Sequence, residues 1–288
     1  MAQDRLLVPV ANPETADRLL ETAIDVAADR DLELLIVHVI EVPMQLSLAH
    51  ASQSLDTEPG ESVVTEAVDR ATAAGVEASG RLRFGRDVAS GLVTVSERED
   101  VVAALLGWRG RPRRRDVVLG SYIDRMLAEA DCDVLVKRID READEVGSVF
   151  VPVAGGPHTE LAAEVAGAIA RGRDVGVELA TVVPADADEE TIDDARSLLT
   201  RTSTSLGAME SVTETVLTGD DVVETIVDRA EGHDATVLGA GSGGLFHRVL
   251  VDDVPEAVAR EVDGAVVMVR RSEGLSRTLW RRIRNRIG

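Results

Sequence analysis

Short runs rich in β-branched residues alternate along this chain with longer segments whose apolar residues recur every three or four positions. In the first half the short runs read RLLVPV (5–10), LELLIVHVI (32–40), EASGRLRFG (77–85), VVAALLG (101–107) and DVLVKR (133–138). Between them lie ETADRLLETAIDVAADR (14–30), SVVTEAVDRATAAG (62–75), DVASGLVTVSERE (87–99) and SYIDRMLAEA (121–130), each patterned as an amphipathic helix. The short runs are apolar almost throughout. That pattern predicts parallel strands buried on both faces by helices.

The pattern then repeats. LLVPVANPET (6–15) returns as VFVPVAGGPHT (149–159), FGRDV (84–88) as LTGDDV (217–222), AALLG (103–107) as ATVLG (235–239), and ADCDVLVKR (130–138) as EVDGAVVMVRR (261–271). The same features in the same order at nearly constant offset mark a duplicated unit of about 140 residues, since chance likeness among Val-rich strands would not keep the order. The strands of the second half read SVFVPVA, VELATVVP, ESVTETVLTG, ATVLG and AVVMVRR. The prediction is an α/β protein of two tandem doubly wound domains, each with a five-stranded parallel sheet. The domains are placed at residues 1–140 and 146–272, joined by the acidic stretch IDREADEVG (139–147), with a tail at 273–288.

Charge narrows the classes of function. Acidic residues outnumber basic ones 52 to 31 for a net charge of −21. Lys137 is the single lysine, so all other cations are arginine, and aromatic residues make up only 2%. A lysine-poor acidic chain with a small-residue core suits a cytoplasm of multimolar salt, and a halophilic source is expected. Nucleic acid is excluded as the main partner, because phosphate backbones are bound by clustered Lys and Arg. The lone Cys132 gives neither an intrachain disulfide nor a CxxC metal pair. No apolar run approaches the roughly 20 residues of a membrane span. The first thirty residues carry acids throughout, unlike a secretory signal, so a cytoplasmic protein is expected.

Against this background LLGWRGRPRRRDVVLGSY (105–122) stands out, with Arg109, Arg111, Arg113, Arg114 and Arg115 between glycines. Strand four is expected to end at Leu106, with Gly107 at its carboxyl end, where open parallel sheets bind ligands. Gly107 and Gly110 permit positive φ and close backbone approach. Gly120 and Ser121 open a helix whose free N–H groups suit phosphate, although Gly–Ser before a helix is also an ordinary cap. A solvated loop paired with acidic neighbours is the competing reading of the arginines.

Taken together, G-x-x-G, nine residues and then G-S, the VPV of strand one and the HVI at 38–40 of strand two resemble the universal stress protein family, tandem form, over both halves of the chain. The resemblance implies a Rossmann-like fold of the adenine nucleotide alpha hydrolase type. It implies that Gly107, Gly110, Gly120 and Ser121, with Tyr122 following and Arg109 beside them, hold the phosphates and ribose of ATP or another adenine nucleotide, with Mg as a companion ion. It also implies that the backbone of Val39 meets the adenine edge, and that the fifth strands, here DVLVKR and AVVMVRR, pair to make one chain a pseudo-dimer, which would also cover two apolar edges. Further association as a homodimer is expected. This chain departs from the family at the acidic position after strand one, occupied here by Ala11 and followed by Asn12.

The second half departs further. Gly239 aligns with Gly107, but Ser242 falls where Gly110 was, Asp252 and Asp253 fall where Gly120 and Ser121 were, and Ala154 takes the strand-one position. Two carboxylates suit a helix start but repel phosphate. This half is expected to have kept its fold and lost its nucleotide.

Catalytic chemistry is not legible. There is no GxxxxGK[ST] loop, no SGGxDS-type loop after strand one in either half, no GxSxG elbow, and no His pair at metal-ligand spacing. His38 reads as a satisfied core residue, and His158 and His247 as loop residues at the ligand end of the second half. The tail SEGLSRTLWRRIRNRIG carries Leu279, Ile283 and Ile287 every four residues among arginines. It reads as a basic amphipathic helix for an anionic membrane surface, a transporter or the protein's own acidic surface. The resulting expectation is a non-catalytic nucleotide-binding regulatory protein. The alternatives are an accessory module of a membrane transporter and a scaffold that no longer binds nucleotide.

Overall fold

A computed structural model describes residues 3–98, 100–109, 121–140, 146–240 and 254–272. In chain order the described elements are β1 (Arg5–Pro9), α1 (Pro13–Arg30), β2 (Glu33–Glu41), α2 (Ala51–Ser54), α3 (Glu58–Ala73), β3 (Ala78–Gly85), α4 (Val88–Arg98), β4 (Val101–Trp108), α5 (Ser121–Glu129) and β5 (Asp133–Arg138). The second half continues with β6 (Ser148–Pro152), α6 (Pro157–Arg173), β7 (Gly176–Val183), α7 (Glu189–Ser203), β8 (Val212–Thr218), α8 (Val222–Ala230), β9 (Ala235–Gly239), α9 (Val254–Glu261) and β10 (Ala265–Arg270). The short α2 and the 3-10 turn before it (Leu48–His50) were not legible in the hydrophobic pattern.

One ten-stranded sheet runs in the order β3-β2-β1-β4-β5-β10-β9-β6-β7-β8. Each half is a doubly wound parallel sheet of order 3-2-1-4-5, and the halves join where β5 meets β10 antiparallel, Val267 opposite Lys137 and Arg270 opposite Val134. The expected pseudo-dimer is therefore built within one chain. Both faces are covered. On one face Leu6, Val8, Ile36 and Leu105 lie beneath Leu19 and Leu20 of α1, and the same core continues to Leu161 and Val165 of α6. On the other, Leu7, Leu106 and Val136 pack with Ile123 and Met126 of α5 and Val258 of α9.

The seam between halves is a strand ladder in the sheet and ionic along the helices. Buried Arg138 reaches from β5 to the end of α9, donating to Ala259 O at 2.9 Å, to Asp263 O at 3.2 Å and to Gly264 O. Its counterpart Arg270 donates to Ala130 O beyond α5 at 3.1 Å. Between α1 and α6, Asp25 meets Arg173 at 3.0 Å, Asp29 meets Arg171 at 2.6 Å and Arg30 meets Glu164 at 2.9 Å. Lys137 is buried beside them, bonded to Arg18 O and 3.2 Å from Glu21. Burial pulls its ammonium below the usual lysine range, and Glu21 offsets part of that shift.

Candidate functional site

The ligand end of the first half lies between β1 and β4, where the chain leaves the sheet in opposite directions. β4 runs two residues beyond the expected end at Leu106, with Gly107 and Trp108 laddered to Lys137 and Arg138. Gly107 is therefore strand, and it is absent from the positive-φ glycines among the described residues, so the positive φ it permits is not used. What it supplies is clearance. A Cβ there would sit 2.8 Å from Ile139 Cδ1 and 3.5 Å from Leu19 Cδ1.

Above it opens a cavity of about 570 Å³, lined by residues that include Ala11, Asn12, Val39, Gly107, Arg109 and Tyr122. Cavities that hold cofactor-sized ligands fall in this range. These six were singled out from the sequence, and the fold brings them together. Ser121 begins α5. Gly110, Gly120, the arginines 111–115 and, in the second half, Ser242, His247, Asp252 and Asp253 lie outside the described residues, as does the tail 273–288.

β2 forms the inner wall, and its backbone phase decides what that wall offers. Leu34 N donates to Glu77 O and Val42 N to Gly85 O, so even-numbered residues of β2 bond toward β3. Val37 O accepts from Val10 N, so odd-numbered residues face β1. The β1 ladder stops at Pro9–Val37. Two residues further on, the N–H and C=O of Val39 face the space that β1 has left, and this space is the cavity. Glycines hold this strand end from both faces. A Cβ at Gly91 would lie 3.1 Å from Val39 Cγ1, and one at Gly60 would lie 2.7 Å from His38 Cδ2. Sequence reasoning missed both: Gly91 was a lone glycine inside a helical run, and Gly60, after Pro59, lay before the run read at 62–75.

The polar side chains on the wall are largely bonded to one another. Asn12 caps α1, its Oδ1 accepting from Thr15 N at 3.0 Å and from Thr15 Oγ1 at 3.1 Å. His38 Nδ1 lies 2.9 Å from Val10 O and so donates to it, which places the ring on the cavity wall and not in the core as expected. Tyr122 donates its hydroxyl to Gly107 O. Burial pushes the Tyr122 phenol up to about 12, with the charge of Arg109 opposing, so it stays a neutral donor at physiological pH. Arg109 is exposed at the rim and is the charged group among these lining residues. The wall thus presents an apolar body, one open backbone donor–acceptor pair and a cation.

The second half has a different geometry at the equivalent point. Gly155 and Gly156 have φ of +83° and +82°, and this turn carries α6 directly onto β9. A Cβ on Gly239 would meet His158 C at 2.7 Å and Thr159 N at 2.8 Å, so backbone occupies what is side-chain-lined space beside Gly107. His158 is not a loop residue. It lies in the first turn of α6, its Nδ1 accepting from Arg271 N at 3.0 Å.

A sequence model of the universal stress protein family matches residues 3–138 and 146–270. The chain belongs to the universal stress protein family. Among structures, a universal stress protein from Archaeoglobus fulgidus DSM 4304 is 18% identical, with coverage of 94% of this chain and 97% of that one and a TM-score of 0.66. The cytoplasmic domain of a prokaryotic cation chloride cotransporter is 14% identical, with 96% and 99% covered and a TM-score of 0.61. A curated relative, the Na(+)/H(+) antiporter NhaS5 of Synechocystis, is 24% identical in a match 280 positions long that covers 91% of this chain. The chain spans 38% of that antiporter's length. Among the described residues, no helix of this family member is long and apolar enough to cross a membrane.

Proposed function

We propose that this universal stress protein is a nucleotide-binding regulator that holds one adenine nucleotide, ATP in the first instance, per chain, in the unit at residues 1–140. The observation that carries this reading is the cavity at the β1–β4 switch point, onto which the backbone phase of β2 aims the N–H and C=O of Val39. Such a pair complements the N1 and N6 edge of adenine, and Arg109 at the rim suits a phosphate. Gly110, Gly120 and Ser121 would complete the phosphate turn. In the unit at 146–272, the approach of α6 to Gly239 and the aspartates at 252 and 253 both count against a second nucleotide.

Titration calorimetry of ATP, with and without Mg, in molar salt is the test. One site per chain is expected, and it should be abolished by Gly120→Asp, which copies Asp252. Two sites, or binding indifferent to that substitution, would overturn the assignment.

A second reading has its own support: the tandem likeness to an antiporter and to a cotransporter's cytoplasmic domain extends over more than nine-tenths of this chain. On this reading the protein is an accessory module of a membrane transporter. The basic tail at 273–288 would then meet the membrane surface, and vesicles with anionic lipid should retain the full chain but not a chain ending at Ser272.

A further inference from the structure

We propose that His38 binds the nucleotide directly, its Nε2 accepting a hydrogen bond from a ribose hydroxyl, an inference that rests on the nucleotide reading above. To the apolar body, backbone pair and cation of the wall, His38 adds an acceptor. The backbone fixes which nitrogen of the ring takes this part. Val10 O lies 2.9 Å from Nδ1, and a carbonyl oxygen only accepts, so the proton of the neutral imidazole sits on Nδ1. Nε2 is then a bare lone pair. It has no hydrogen-bond partner among the described residues and is not one of their buried unpaired atoms, so it opens onto the cavity that the ring lines. Gly60 of α3 leaves the ring its room, since a Cβ there would sit 2.7 Å from Cδ2 and 3.2 Å from Nε2. The chemistry of the ligand decides what meets this nitrogen. An adenine nucleotide carries donors on its amino group and on its ribose hydroxyls. On the reading above the amino group goes to the C=O of Val39, and the hydroxyls remain. Thr15 and Tyr122 also turn oxygens to the cavity, but each hydroxyl already donates, to Asn12 and to Gly107 O. A ligand that fills the cavity without a donor leaves Nε2 with no bond at all. Sites built around such a pairing reject the analogue that lacks the hydroxyl.

The experiment is calorimetric titration of the full chain and of His38→Asn with ATP, 2′-deoxy-ATP and 3′-deoxy-ATP. It is run in molar salt at about pH 8, where imidazole is neutral. Asparagine sets its amide nitrogen near the place of Nδ1 and keeps a donor for Val10 O, while nothing takes the place of Nε2. For the wild type, one of the deoxy analogues should bind about tenfold or more weaker than ATP, the cost of stranding a neutral acceptor. In His38→Asn that gap should close to within about threefold, whereas a mere change of cavity shape weakens all three ligands alike and cancels in the ratio. Wild-type dissociation constants within about threefold of one another, or a gap that persists in His38→Asn, would overturn the inference while leaving the nucleotide reading intact. No binding of any of the three by the wild type would overturn that reading, and this inference with it. If His38→Asn fails to fold or to bind, nitrogen-15 spectra of the wild type labelled at its histidines decide. ATP should move the resonance of one unprotonated ring nitrogen that the weaker analogue leaves in place. Equal shifts with both ligands would overturn the inference.

Discussion

Gly107 and Gly239 occupy equivalent places in the two halves, yet a methyl group added at each meets different matter. At Gly107 it meets the far end of Ile139, a side chain that can turn. At Gly239 it meets the carbonyl carbon of His158 at 2.7 Å and the amide nitrogen of Thr159 at 2.8 Å, backbone of the 17-residue helix α6 that cannot yield alone. Gly239→Ala should therefore cost about 2–3 kcal/mol in urea unfolding. Gly107→Ala should cost under about 1 kcal/mol, because Ile139 can turn aside. It should instead weaken ATP binding several-fold, as the displaced Ile139 lines the cavity. Equal losses of stability would contradict this account of the two crevices.

Between elements, the decisive contact is the reciprocal grip of arginines on helix ends. A helix leaves its last carbonyls without intrahelical partners. Arg138 supplies donors to three carbonyl groups at and beyond the end of α9, and Arg270 supplies one beyond α5. Each grip crosses the β5–β10 seam, so the clamp ties one half to the other. Arg138→Met should destabilise the chain by about 3 kcal/mol, roughly 1 kcal/mol for each carbonyl deprived of its donor. Arg138→Lys should recover little, since a compact ammonium cannot span the three acceptors as a guanidinium fork does. A lysine variant as stable as the wild type by chemical denaturation would refute the clamp.

For the whole molecule, two electrostatic effects oppose each other as salt is added. The pairs Asp25–Arg173, Asp29–Arg171 and Arg30–Glu164 hold α1 to α6 and weaken on screening, but such partly exposed pairs contribute only about 0–1 kcal/mol each. The net charge of −21 acts on the entire chain. Its self-repulsion is relieved as the Debye length falls from ~30 Å at 0.01 M to ~3 Å at 1 M. The melting temperature should therefore rise steadily from low to molar potassium chloride. A flat or falling curve would mean that the interface pairs outweigh the general repulsion, and would remove the argument for a halophilic protein.

Continuous apolar strands, helical spacing between them and an ordered internal repeat were sufficient to read two doubly wound sheets, because burial on both faces leaves its mark on every strand residue. The pairing of β5 with β10 was expected from the family resemblance, and it covers two apolar edges. Six of the nine singled-out site residues line one cavity for a topological reason, since the ends of β1, β2 and β4 must converge at the switch point. Tertiary structure decided the rest. That Gly107 gives clearance and not a turn depends on where Ile139 and Leu19 land, and Gly60 and Gly91 matter only because His38 and Val39 lie under them. The inward aim of the Val39 backbone follows from the β1 ladder ending two residues earlier, at Val37, a fact of register that residue identities do not carry. Whether α6 closes the second crevice likewise turns on two glycine dihedrals and a helix axis. Hydrophobic pattern records which residues leave water; it does not record which atoms they meet once they have left.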